Sequence, residues 1–145
     1  NTATRFWAKV CAERNAQLAS SAALMTAFLT GRAAINHDDH ETKAEQITII
    51  RDTWEKVIAA TAIHELNVAK SHLGDDALRN HEISEAIAYT RALKYSPTKK
   101  ITDSQIQSII DMFGTDLYTV TLTAIDGART ALAAPYGLES IMNAL

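Results

Sequence analysis

The chain has a single cysteine, two prolines and five glycines in 145 residues. One thiol, Cys11, excludes an internal disulfide, so whatever holds the fold together is packing rather than cross-linking. With so little proline and glycine, and no Asn-Gly or Asp-Gly pair set between alternating apolar runs, hairpin signals are missing and strands are not expected. Excess positive charge is missing too: 14 Lys and Arg stand against 17 Asp and Glu, the formal net charge is -3, and only Lys99-Lys100 are adjacent. That excludes the electrostatic footprint of a nucleic-acid-binding protein. The longest mainly apolar stretch, Ala16 to Ile35, is interrupted by Gln17, Ser20, Ser21, Thr26, Thr30 and Arg32. It reads as a buried helix and not as a transmembrane segment. The first residues, Asn1-Thr2-Ala3-Thr4, contain no initiator Met, basic region or apolar leader, as expected of a processed product or of the C-terminal part of a larger protein.

What is present is helical periodicity. Hydrophobic residues make up 47% of the chain, enough for one domain over residues 1–145 to bury a core. Ile47, Ile50, Trp54, Val57, Thr61, His64 and Val68 recur at spacings of three and four and form one stripe. Asp38 followed by Glu41 has the form of a capping box opening that helix, and Gly74 of its stop. Asp75-Asp76 precede a helix bearing Ile83, Ile87, Thr90 and Leu93, ended by Ser96-Pro97-Thr98. Thr102-Asp103-Ser104-Gln105 is the best local signature: Thr102 caps the amide of Gln105, the Gln side chain reaches back, and Ile101 and Ile106 form a hydrophobic staple. This helix runs to Gly114, another from near Thr115 to Pro135, and a short one from Leu138 to Leu145. The first segment, Arg5 to Asn36, has breaks at Ser20-Ser21 and Gly31. The expectation is all-α, an antiparallel bundle of five to six helices with short connections.

Chemistry-bearing residues are sparse. His37-Asp38-Asp39-His40-Glu41 is the densest cluster, and His37, His40 and Glu41 are the candidate ligands for a divalent metal, with His37 and Glu41 one helical turn apart. A solvated polar loop opening a helix explains the same residues. Paired Glu-x-x-His motifs of di-iron bundles are missing. His64-Glu65-Leu66-Asn67 begins the His-Glu-x-x-His of zinc peptidases and then fails at Val68, which leaves His64 as a core histidine on an apolar stripe. His81 and Glu85 are one turn apart. Cys11 reads as a buried, inert thiol, and no serine stands in a Gly-x-Ser-x-Gly elbow. Arg14, Arg32 and Arg129 lie near apolar faces, where structural pairing, for instance with Asp126, competes with binding an anion. Trp7, Trp54, Tyr89, Tyr118 and Tyr136 are expected in the core or an interface.

The run Phe6-Trp7-Ala8-Lys9-Val10, the phrase Thr53-Trp54-Glu55-Lys56-Val57 leading into Ala62-Ile63-His64-Glu65-Leu66-Asn67, and Ser84-Glu85-Ala86-Ile87 through Leu93-Lys94-Tyr95 resemble imelysin-like bacterial envelope proteins, and within them an uncharacterised branch known only as a domain of unknown function. The likeness covers most of the chain and corresponds to the C-terminal part of a longer member. It implies a helical-bundle lipoprotein or periplasmic protein, outer-membrane-anchored or free, in a family associated with iron uptake and, for its founding member, peptidase activity. The family's Gly-x-His-x-x-Glu motif does not occur here, so no functional residue is carried across. The expected function is a non-enzymatic, exported binding or interaction module of the cell envelope linked to metal acquisition, without a bound cofactor. Two alternatives remain: a metal-dependent hydrolase using His37, His40 and Glu41 with His64 or His81, and a structural subunit that pairs with another copy or with a missing N-terminal part.

Overall fold

The computed structural model describes residues 5–145. It is all-α: among the described residues there are seven α-helices and no strand. The chain divides into two compact units, Asn1–Val57 and Ile58–Leu145.

The first unit holds α1 (Trp7–Glu13), α2 (Asn15–Leu18), α3 (Ser20–Asn36) and the part of α4 (His40–Ser71) that ends at Val57. The expected count of five to six helices is corrected here, because the opening segment breaks twice, at Arg14 and at Ala19. Ala19 adopts a left-handed conformation (φ 50°), and the Ser21 amide donates to Asn15 Oδ1 at 2.8 Å across the turn. Within α3 the buried residues are Ser20, Leu24, Ala27 and Ala34, whereas Met25, Phe28, Leu29 and Ile35 are 60%, 53%, 48% and 60% exposed. Ala16 to Ile35 is therefore not a buried helix; apart from Leu24, the inward residues of α3 are small. Close approach accounts for the glycine: a Cβ added at Gly31 would lie 3.3 Å from the Cβ of Gln46 on α4, so a larger side chain does not fit at that point. Gly31, expected as a break, instead lies inside α3 as its contact point.

Asp38 does not cap α4. It takes the left-handed position (φ 54°) that ends α3: the Asp39 amide donates to Ala34 O at 2.9 Å and the Asp38 amide to Ile35 O at 3.3 Å, the paired bonds of a Schellman motif with Asp where Gly is usual. The cap passes to Asp39, whose Oδ1 accepts from the Thr42 amide at 3.0 Å. The α4 stripe is also wider than the periodicity suggested: Val57 and Thr61 are buried, but so are Ala59, Ala60, Ala62, Ile63 and Leu66, while Ile47 is 39% exposed.

The second unit comprises α4 from Ile58, then α5 (Asp76–Ala92), α6 (Asp103–Asp111) and α7 (Leu122–Ala133). Asp75 caps α5 by accepting from the Leu78 amide at 3.1 Å. The Thr102 box is complete: the Gln105 amide donates to Thr102 Oγ1 at 3.2 Å and the Thr102 amide to Gln105 Oε1 at 2.9 Å, with Ile101 and Ile106 buried beside it. Gly114 (φ 67°) turns the chain after α6. The helix expected from Thr115 starts later. Asp116 accepts the Tyr118 amide and directs residues Leu117–Thr119 into a 3-10 turn, and Thr121, accepting from Ala124 at 3.2 Å, caps α7. A terminal helix from Leu138 to Leu145 does not form. Gly137 (φ 61°) turns the chain, and the side-chain amide of Asn67 donates to the carbonyls of Met142 at 2.8 Å and Leu145 at 2.9 Å, fastening the tail to α4 as successive turns. The core of this unit includes Ile63, Leu66, Ile83, Leu93, Ile109, Ile125, Leu132 and Leu138, each at most 2% exposed. Phe113 and Tyr136 are buried at 2% and 6% exposure, whereas Trp7 and Tyr118, expected in the core or an interface, are 48% and 70% exposed and so are not core residues.

Candidate functional site

His37, His40 and Glu41 are all exposed, and a chain reversal separates them. His37 caps the C-terminus of α3, Asp38 turns the chain, and His40 and Glu41 open α4, so His37 and Glu41 do not share a helix face. His40 Nδ1 lies 3.2 Å from the Lys43 ammonium. Asp39 is occupied by its cap: the Thr42 hydroxyl and then the Thr42 amide hold its carboxyl below the usual range. Among the described residues, the metal-type side chains whose ligand atoms lie within 4.8 Å of one another are instead His81, Glu82 and Glu85 on α5. His81 Nε2 is 3.3 Å from Glu85 Oε1, the ordinary meeting of residues one turn apart, with both side chains well solvated. His64 lies on the part of α4 in the second unit, and its Nδ1 is buried without a protein hydrogen-bond partner. Cys11 is 5% exposed with Sγ 3.4 Å from Ser20 Oγ, a buried thiol in a polar contact.

The arginines divide by use. Arg129, 4% exposed, donates to Asp126 Oδ1 and to Asn143 Oδ1, both at 2.6 Å, which is the structural pairing expected for it. Lys70, then Arg129, hold the Asp126 carboxyl below its ordinary value against partial burial, which raises it. Arg79, which the sequence did not single out, is 5% exposed; its guanidinium donates to the carbonyls of Leu73 at 3.2 Å and Leu117 at 3.3 Å and pairs with Asp76 at 2.7 Å. These are clamps of the second unit. Arg32 is exposed on α3.

Arg32 lines a groove of about 320 Å³ between α3 and the first part of α4. Its lining comprises Ala27, Phe28, Gly31, Ile35, Ile47 and Ile50 together with Arg32, Lys43 and Gln46, and almost all of its surface is apolar. Gly31 and Gln46 fix the antiparallel register, so Ile35 and Lys43 fall near the α3–α4 connection and Ala27 and Ile50 at the far end. Both charged residues of the lining are cationic, and the rest of the lining apart from Gln46 is apolar or glycine. A pocket of this size and character suits a small apolar or amphiphilic ligand. The periodicity of α4 pointed at Ile47 and Ile50, but a stripe read as core gave no sign that it formed the wall of an open groove.

A family model described as Domain of unknown function (DUF4856) matches residues 1–139. No curated protein and no solved structure matches the chain.

Proposed function

The chain belongs to the DUF4856 family, and from that premise we propose that it is an exported, non-enzymatic binding or interaction module of the bacterial cell envelope, allied to the imelysin-like proteins and serving metal acquisition. The observation that carries the binding part is the first unit's apolar surface: Phe28, Ile35 and Ile47, which line the α3–α4 groove, and Met25, Leu29 and Ile49 elsewhere on the same helices are each at least 39% exposed. A row of large exposed apolar side chains marks an interaction surface when it is contiguous. The envelope location and the link to metal rest on the resemblance of the Trp7, Trp54 and Ser84 segments. Fractionation of the native cells with an antibody to this chain tests the location: recovery with periplasm or outer membrane is expected, and recovery with the cytosol overturns it. Purified protein is expected to leave peptide substrates intact; hydrolysis that disappears on substituting His37, His40 or Glu41 would replace the module with an enzyme.

A second reading, a metal-dependent protein, is favoured by one feature, the grouping of His81, Glu82 and Glu85. Elemental analysis of protein purified without chelator, and melting with and without added zinc, separate the two. A stoichiometric metal, or a rise in melting temperature with zinc that His81→Ala removes, supports the metal protein.

A further inference from the structure

We infer that the outward face of α3 is a self-association surface, against which a second copy of this chain packs its own α3, antiparallel and across a two-fold axis. The inference rests on reading the first unit's apolar face as an interaction surface. At the helical repeat of 3.6 residues per turn, Ile35, Phe28, Arg32, Met25 and Leu29 fall in that order on one arc of about 120°, clear of the inward positions Leu24, Ala27 and Ala34. The four apolar members are each about half exposed or more. Arg32 is the only charged residue among the 17 of α3, so the face is apolar around one cation.

The position of that cation, and the spacing around it, select the occupant. Met25, Phe28, Arg32 and Ile35 are three, four and three residues apart, the spacing of a seam between two helices. Parallel packing in register would set Arg32 against Arg32 of the second copy within an apolar seam, where like charges are least tolerable. Antiparallel packing with the axis at the level of Thr30 does the reverse. Met25 then meets Ile35 of the second copy, Phe28 meets its Arg32, and the symmetry repeats both layers. Each guanidinium can lie over a ring face as a cation–π pair, and the two helix dipoles oppose. Moving the axis one turn toward either end would set Ile35 or Met25 beyond the end of the partner helix. The face is therefore complementary to itself.

Its size fits a reversible dimer. At their exposed fractions the four large side chains open about 450 Å² per copy. With Arg32, and with Ile47 across the groove, the contact reaches the low end of specific interfaces, about 600 Å² per partner. Such a dimer is half-associated at about 10–100 µM and separates on dilution.

The test is sedimentation equilibrium of the whole chain from low micromolar to submillimolar concentration, where a monomer–dimer equilibrium is expected. Met25→Glu and Ile35→Lys should each weaken association by about tenfold or more, because each buries an unpaired charge in the seam. Circular dichroism should stay unchanged, since both side chains are open in the single chain. Mixing the two variants should restore association: in the mixed dimer the new carboxylate meets the new ammonium in one layer and Met25 meets Ile35 in the other. A strict monomer throughout the range overturns the inference, and so does a dimer that Met25→Glu leaves intact. Loss in both variants without recovery on mixing overturns the antiparallel register, and with it the assignment of a second copy. A monomeric chain that fractionates with the envelope loses the second copy and keeps the module. A cytosolic chain that dimerises does the reverse.

Discussion

The two units use the same kinds of residue to opposite ends. In the second, two of three arginines turn inward: Arg79 and Arg129 are nearly buried and spend their donors on carbonyls, Asp76, Asp126 and Asn143, while Arg91 is exposed. Large aliphatic side chains such as Ile125, Leu132 and Leu138 are fully enclosed. In the first, Arg14 is buried but Arg32 is exposed, and Met25, Phe28, Leu29 and Ile35 of α3 face away from its packed side, where Leu24 is the one large residue beside Ser20, Ala27 and Ala34. Small residues let α3 approach α4 closely at Gly31, and the consequence is that the large ones are left to line a groove and an open face. One unit encloses its large apolar side chains and the other leaves several open, which is what the proposed binding role requires of it.

That contrast is broken most readily by core truncation. Leu132→Ala should cost about 2–5 kcal/mol in chemical denaturation, because the side chain is fully enclosed. Phe28→Ala should shift stability by no more than about 0.5 kcal/mol. Comparable losses would mean that the first unit's apolar face is structural. Arg79→Leu comes next, with a loss of about 3 kcal/mol from leaving the carbonyls of Leu73 and Leu117 without their donor. Arg32→Leu should be close to neutral by the same measurement.

The caps give smaller effects. Thr102→Ala removes the complete capping box of α6 and should cost about 1 kcal/mol. Ala19→Gly should instead gain about 0.5–1 kcal/mol, because an alanine is held at φ 50° where glycine is unstrained. Acid acts on the second unit through Asp126. Its folded carboxyl lies below the ordinary value near pH 3.9, so its contact with Lys70 and Arg129 contributes fully above that value and is lost as pH falls through the lower, folded one. Asp126→Asn should flatten the acid limb of the stability profile, as read by melting temperature against pH.

Much of the helix order was legible because it is written in local chemistry. Thr102 and Gln105 sit three residues apart before an apolar run, Asp75 precedes α5, and Gly114 follows α6; each acts through hydrogen bonds to neighbouring backbone. Asp38 shows where local signals mislead. An acidic residue three before a glutamate has the form of a cap, yet aspartate also tolerates the left-handed conformation, and the chain reversal between α3 and α4 uses it that way. The tail was misread for a different reason. Leu138 to Leu145 has no local veto on helix, and it is Asn67, more than seventy residues earlier, that takes its carbonyls. The groove was not legible at all. Apolar residues at helical spacing announce a stripe, but which side of α3 packs is decided by the clearance at Gly31, a tertiary distance. The His37, His40 and Glu41 cluster was visible only as composition, and the reversal at Asp38 is what separates its members.

The most direct measurement is an amide chemical-shift titration of isotopically labelled protein with 1-anilinonaphthalene-8-sulfonate, a probe of open apolar surface. The largest changes are predicted between residues 27 and 50, in α3 and the start of α4, with the amides of α5, α6 and α7 essentially unmoved. Changes centred on α5 to α7, or spread evenly over both units, would contradict the division into an enclosed unit and an open one.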